Sequence, residues 1–125
     1  EKALLEFGIT GKPIIAPNWS GHLDFLSKHG LLIQGSMNPT HVSAQNKEAV
    51  PEGSNWYYTD YGYAIGILKD VDANYKKHLA KSRKQKQYIK NNFTSDIMTK
   101  LLIELVENNV PEVKIPTLES LETYD

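Results

Sequence analysis

The fold of this chain is most constrained by a short apolar run that ends at a proline and gives way to a helical pattern. Ile14–Ala16 forms the run, Pro17 ends it, and a helical spacing follows over Gly21–Ser27. A continuous apolar run of this length is typical of a strand buried in a parallel sheet. Ligands in open α/β sheets bind at the carboxyl ends of the strands. The turn after Pro17 is therefore a candidate binding site.

The order of patterns along the chain predicts an α/β layered domain. A helix or helix tail begins the chain, with Gly11 as its carboxyl-terminal cap, and Asn18 or Ser20 is expected to cap the helix after the strand. A second strand is predicted over Leu31–Gln34 and strand-like structure over Trp56–Thr59. Such alternation is typical of sheets covered by helices. Because only two or three strands are visible, we expect a partial domain of a longer protein. A trimmed form of an otherwise whole protein is the alternative.

The second half of the chain predicts a long loop followed by helices. Residues 35–55 are polar and rich in turn formers, so we expect a loop there. Apolar and aromatic residues that recur in a stripe at spacings of four, three, four and four predict an amphipathic helix after Asp60. The helix is expected to continue to Asn92, with a break near Ser82. The stripe consists of Ala64, Leu68, Val71, Tyr75 and Leu79. Thr94 is expected to cap a last helix ending at Asn108–Asn109. The predicted domain covers residues 1–110, and an extended acidic tail covers 111–125.

Composition narrows the classes of function. A chain of 125 residues is at most one ordinary domain, and its net charge of -1 does not favour nucleic acid or an anionic membrane as a partner of the whole molecule. Cysteine is absent, which excludes disulfides and thiolate metal sites and fits a reducing compartment such as the cytoplasm. The histidines lack the spacing of a zinc site, so no metal is expected. They are His22, His29, His41 and His78.

Two adjacent motifs resemble a known enzyme family. Gly-Lys-Pro-Ile-Ile-Ala at 11–16 and Asn-Trp-Ser-Gly-His-Leu-Asp-Phe at 18–25 are similar to a block of retaining nucleotide-sugar glycosyltransferases of the GT-B fold, the "group 1" or family-4-like type. The resemblance extends over roughly residues 4–106 and is weak over 35–55. It implies a partial Rossmann-like parallel sheet with flanking helices, the carboxyl-terminal part of the nucleotide-sugar-binding domain.

The resemblance also implies an activity. The complete enzyme would transfer a sugar from a nucleoside-diphosphate-sugar donor to a glycan or other acceptor with retention of configuration. It would need no metal and no cofactor besides the donor, and an amino-terminal domain absent from this chain would complete the cleft. The catalytic residues are unknown, and the isolated piece is expected to be inactive.

Site residues follow from the same resemblance. Glu6 lies five residues before Gly11, where the family has a glutamate that binds the donor ribose; without the resemblance, Glu6 is a solvated helix carboxylate. The Asn18–Gly21 turn, consisting of Asn18, Trp19, Ser20 and Gly21, would border the donor–acceptor cleft, with Trp19 stacking on a sugar or base. In the alternative, Ser20 only caps a helix and Trp19 only packs. Asp24 is a candidate base, but it falls within the predicted helix and is interpreted as solvated.

More than half of the 14 basic residues lie between Lys69 and Lys90. The usual interpretation of such a run is a solvated helix face. The alternative is a non-enzymatic α/β binding module that docks a polyanion through Lys76–Lys90. In the glycosyltransferase interpretation, the same helix would make a peripheral contact with a membrane, and nucleic acid is not an expected partner.

Overall fold

A computed structural model describes residues 2–112 and shows a mixed α/β architecture. In chain order its elements are α1 (Lys2–Gly8), β1 (Ile15–Pro17), α2 (Leu23–Leu26), β2 (Leu31–Ile33), β3 (Gly35–Pro39), a 3₁₀ turn (Val42–Ala44), β4 (Asn55–Thr59), α3 (Tyr61–Ala73), α4 (Tyr75–Asn92) and α5 (Ser95–Asn109). The chain divides into two compact units, the first ending at Thr94 and the second starting at Ser95. Among the helices of the described part, none has the length and apolarity to cross a membrane.

The first unit is organised around a small parallel sheet. Strands β1 and β2 pair in parallel, with Ile15 opposite Leu31 and Pro17 opposite Ile33. The core beside this sheet consists of Ile14, Ala16, Phe25, Leu26 and Ile89. The prediction of two strands around a buried apolar run is therefore confirmed, as is the α/β class.

Strands β3 and β4 form an antiparallel ribbon, so the prediction of a loop over residues 35–55 is wrong for its first part. Gly35 lies opposite Thr59 and Pro39 opposite Asn55. All five residues of β3 are exposed. Because no face of β3 is buried, its sequence carries no apolar alternation, and only the partner strand reveals it. The connection also contains the 3₁₀ turn and a bridge between Asn46 and Val50.

The long helical region breaks at Asn74 rather than near Ser82. Asn74 takes φ -122 and ψ 32, and its side chain donates to Asp70 Oδ1 at 2.7 Å, which ends α3. Ser82 is buried inside α4, where its hydroxyl donates to the carbonyl of His78 at 2.8 Å. A serine whose hydroxyl donates to the carbonyl four residues earlier is compatible with a helix interior. The buried residues of α4 are His78, Ser82, Gln85 and Ile89.

The predicted caps of the first two helices do not match the observed helix ends. The N-cap of α2 is His22, and the helix is one turn long, so the prediction that Asn18 or Ser20 caps a helix over residues 21–27 is wrong. Helix α1 ends at Gly8, and Gly11 follows with φ 75, a left-handed conformation that glycine adopts without strain. The Asn18 side chain is used in a tertiary hydrogen bond, which is why it is not a cap.

The second unit contains α5, which begins directly after Thr94 and ends at Asn109, as predicted. None of its residues is buried. Its large exposed apolar side chains are Met98, Leu101, Leu102, Ile103, Leu105 and Val106. Most of the predicted acidic tail, residues 113–125, lies outside the described residues.

Candidate functional site

The carboxyl ends of β1 and β2 lie side by side because the two strands are parallel and in register. The backbone N–H of Asn18 extends the pairing by donating to the carbonyl of Ile33 at 2.9 Å. The Asn18 side chain donates from Nδ2 to Gln34 Oε1 at 3.3 Å. Two primary amides from different strand ends therefore meet at this edge, and each retains further donor and acceptor capacity.

The Trp19 ring belongs to a stacked aromatic pair next to Asn18 in the chain. It stacks on Tyr57 of β4 with centroids 6.1 Å apart and planes 6° apart. The Tyr57 hydroxyl donates to the Ile33 carbonyl at 3.3 Å, so the ring pair is anchored to the end of β2. Trp19 nevertheless remains 47% exposed. The packing interpretation of Trp19 is thus correct for one part of the ring, and the rest is accessible to a ligand.

The backbone of the turn is held in an unusual conformation. Ser20 has φ 78, a left-handed conformation that costs a non-glycine residue about 1–2 kcal/mol. His22 is 8% exposed, and its Nε2 lies 2.7 Å from the carbonyl oxygen of Pro17. Because a carbonyl only accepts, Nε2 carries the proton and donates. The His22 hydrogen bond therefore links the end of β1 to the start of α2, and Ser20 lies between the two partners in the chain.

Glu6, the predicted ribose ligand, lies on the exposed surface of α1. Its carboxylate is 3.6 Å from Lys2 Nζ, an i,i+4 pair in which both side chains are mostly exposed. Helix α1 leads through residues 9–14 into the amino end of β1, whereas the Asn18–Gly21 turn follows the carboxyl end. No contact recorded for residues 2–112 joins Glu6 to that turn. The ribose role of Glu6 stays a prediction.

An open depression includes Gln34, the hydrogen-bond partner of Asn18. Its lining residues are Gln34, Gly35, Ser36, Tyr58, Thr59 and Asp60. The Asp60 carboxylate accepts from the N–H of Tyr63 at 2.8 Å and caps α3, so it is already engaged. The depression thus presents mainly amide, hydroxyl and aromatic groups, which suit neutral polar ligands such as sugar hydroxyls.

Sequence reasoning identified the turn but missed three residues that build the site. Gln34 could have been found, because it follows the second strand as Asn18 and its neighbours follow the first. His22 has no sequence signal beyond the histidine spacing, which does not fit a zinc site, and nothing in that spacing reveals its hydrogen bond to Pro17. Tyr57 could not have been identified, since its contact with Trp19 depends on how the ribbon returns to the sheet. Asp24 is exposed, as predicted.

The basic residues of α4 divide between two flanks of the helix. Lys77, Lys81 and Lys84 recur at spacings of four and three, while Lys76, Arg83 and Lys90 recur at seven. Both rows lie on the exposed part of the helix. Polyanion docking through Lys76–Lys90 stays a prediction.

The described residues include no group of three His, Asp or Glu side chains arranged to hold a metal ion. The site is thus a set of neutral hydrogen-bonding groups beside an aromatic pair. Comparison with known protein families, with curated proteins and with solved structures finds no match for this chain.

Proposed function

We propose that this chain is part of the nucleotide-sugar-binding domain of a retaining GT-B glycosyltransferase, with a partial Rossmann-like sheet. The complete protein would transfer a sugar from a nucleoside-diphosphate-sugar donor to a glycan or other acceptor. The observation that carries the proposal is the meeting of Asn18, Gln34 and the Trp19–Tyr57 stack at the carboxyl edge of the β1–β2 pair. This edge is where open parallel sheets bind ligands.

The chemistry of the edge matches a sugar or nucleoside ligand. Paired amides both donate and accept, as vicinal hydroxyl groups do, and an exposed indole stacks on a sugar face or a base. The side chains that meet at the edge are amides and aromatic rings, so they would supply binding and orientation. Proton transfer and neutralisation of the diphosphate would come from other parts of the protein.

Glu6 would bind the donor ribose in this proposal. A ribose hydroxyl would have to displace only the weak, exposed ion pair between Glu6 and Lys2, since such pairs contribute about 0.3–0.5 kcal/mol. A ribose that donated no hydrogen bond to Glu6 would still contact the turn, so the two parts of the proposal are separable by experiment.

The decisive measurement is a ¹⁵N NMR titration of the chain with uridine, guanosine and adenosine diphosphates and their sugar conjugates. We expect one nucleotide to shift the amide signals of Asn18–Gly21, Gln34 and Glu6. Asn18→Ala should weaken that binding several-fold, and Glu6→Gln should weaken it where Glu48→Gln, which removes an exposed carboxylate elsewhere, does not.

Two results would contradict the proposal. If saturating nucleotides leave the turn signals unchanged, the edge is not a donor site. If Glu6→Gln and Glu48→Gln behave alike while the turn still responds, the ribose assignment alone fails. A sugar-transfer assay on the isolated chain should give no turnover, and turnover would show that the catalytic groups lie within it.

Docking of a polyanion through Lys76–Lys90 is a second candidate, favoured by one observation. Across residues 2–112, the close ion pairs are Lys2–Glu6 and Asp70–His78, so no lysine of α4 forms one there, although Lys77 lies near enough to Asp70 to lower the pKa of that carboxyl. A docking surface of this kind would bind heparin or duplex DNA with an affinity that falls steeply with salt. Salt-insensitive or undetectable binding of both would exclude it.

A further inference from the structure

Lysines from two separate parts of the chain converge on one flank of α4. Lys77, Lys81, Lys84 and Tyr88 share this flank, at spacings of four, three and four. The turn between α2 and β2 reaches it from the other side. Lys28 Nζ lies 4.9 Å from the centroid of the Tyr88 ring, and the His29 ring meets the same tyrosine edge-on at 6.2 Å.

The convergence places His29 among like charges. Burial lowers the pKa of His29 from its ordinary value of 6.5, and the positive charges of Lys81, Lys84 and Lys28 lower it further. None of these lysines has an acidic partner within the described range, and Asp24, four residues before Lys28, forms no ion pair there. The cluster therefore carries unneutralised charge around a half-buried imidazole.

We propose that Lys28, His29, Lys81 and Lys84 form a binding site for a phosphate group. Ammonium groups held close together repel one another, and a divalent anion between them relieves that repulsion. The neutral imidazole adds a polar N–H that donates to the same anion, and the two ends of the site come from rigid elements joined through Tyr88.

The surroundings favour a single phosphate group over a nucleic acid strand. Binding of single strands needs aromatic faces open to the bases. The Tyr88 ring already contacts Lys28 and His29. It also contacts Phe93, with the two ring centroids 5.9 Å apart. The site thus offers charge without a stacking surface, which matches a phosphomonoester of a small molecule or of a lipid headgroup.

A dianion bound here has a predictable effect on protonation. It would offset the lysine charges and raise the pKa of His29, so anion binding and protonation of His29 favour each other. Sulfate serves as the probe because it does not titrate near neutral pH. Its affinity should increase as the pH falls through the pKa that His29 has in the complex.

The test is an NMR titration of the full chain with inorganic phosphate and with sulfate, followed on the ring signals of His29. Lys81→Gln/Lys84→Gln should weaken binding by about tenfold or more, as expected for loss of charge-assisted hydrogen bonds. The control Lys76→Gln/Lys90→Gln removes the same charge from the other flank and should change affinity by less than about twofold. Equal effects of the two double variants would overturn the proposal, as would His29 signals that do not respond to either anion.

Vesicles distinguish the source of the phosphate. If phosphatidylcholine vesicles containing phosphatidic acid bind the chain and Lys28→Gln releases it, the ligand is a lipid headgroup. If these vesicles do not bind but inorganic phosphate does, the ligand is a soluble phosphomonoester. Failure of both arms refutes the site, and neither arm depends on glycosyltransferase activity. Heparin binding that is equally weakened by both double variants would instead support polyanion docking along the whole helix.

Discussion

Two regions of the first unit differ in how they are held together. The core elements, α1, β1, α2, β2 and α4, meet around Leu26 and Ile89, which are 0% and 1% exposed. The attached segment, residues 35–73, contains β3, β4 and α3, and Thr40 is its only buried residue. The core elements are joined by fully buried apolar side chains, whereas the attached segment meets them through half-buried residues of α3 and through individual polar and aromatic contacts.

These contacts occur at a few identifiable places. The stack of Trp19 on Tyr57 and the hydrogen bond from Asp60 N–H to the Gln34 carbonyl, 2.8 Å long, join the ribbon to the sheet. The hydrogen bond between Asp70 and His78 joins α3 to α4. Because the candidate site lies along the first of these joints, its geometry depends on contacts much weaker than those of the core. Substitutions should therefore separate global stability from site geometry.

The largest effect is expected at the centre of the core. Leu26→Ala leaves a cavity where no solvent reaches, and such truncations cost about 2–5 kcal/mol. Leu68→Ala makes the same change on α3, where the side chain is 57% exposed, and should cost less than about 0.5 kcal/mol. Urea unfolding measures both. Similar losses for the two variants would contradict the division between the regions.

A smaller and local effect is expected in the ribbon. A Cβ at Gly35 would meet the backbone oxygen of Tyr58 and the ring of Tyr57, so Gly35→Ala forces the strands apart at a cost of about 1–3 kcal/mol. Gly66 of α3 has open space at the corresponding position, and Gly66→Ala should stabilise the helix by about 0.5–1 kcal/mol. Hydrogen exchange of the β3 and β4 amides should accelerate in the first variant only. Faster exchange around Leu26 would show that the ribbon and the core unfold together.

The aromatic joint should contribute less. Trp19→Ala and Tyr57→Ala each remove the stack, and a double-mutant cycle should give a coupling of about 0.5–1.5 kcal/mol. We expect the Asn18 and Gln34 amide signals to shift in both single variants, because Tyr57 also anchors the end of β2. A coupling near zero would mean that Trp19 does not hold the ribbon in place.

The smallest effect is a pH dependence at the joint between α3 and α4. Hydrogen bonds from Asn74 and His78 lower the pKa of the Asp70 carboxyl below its ordinary 3.8. The stabilisation is therefore fully present above that value and is lost as the pH falls through the lowered pKa. Asp70→Asn should flatten the acid side of a plot of unfolding free energy against pH, whereas Asp72→Asn, on an unpaired neighbour in α3, should not. Identical profiles would exclude a contribution from this joint.

Much of the core could be predicted from sequence, for a physical reason. Ile14 and Ala16, just before and within β1, are buried, and Ile15 between them is half-buried, so the segment is an apolar run that is visible in one dimension. The attached segment leaves weaker traces. Residues 35–39 are exposed, so nothing in their pattern distinguishes a strand from a loop. The pattern does not reveal the break at Asn74, because the apolar stripe passes through it and the hydrogen bond from Asn74 to Asp70 has no signal in that stripe.

The sequence alone determined the two apolar strands, the short helix between them and the turn that ends the first apolar run, because local spacing and solvent exclusion act within a few residues. Tertiary structure alone decided that Gln34 and Tyr57 join Asn18 and Trp19 at one edge, and that Lys28 and His29 join the lysines on one flank of α4. These groups are distant in the chain and carry no shared periodicity. Their association depends on how the strands pair and the helices pack, which is set by the free energy of the whole unit.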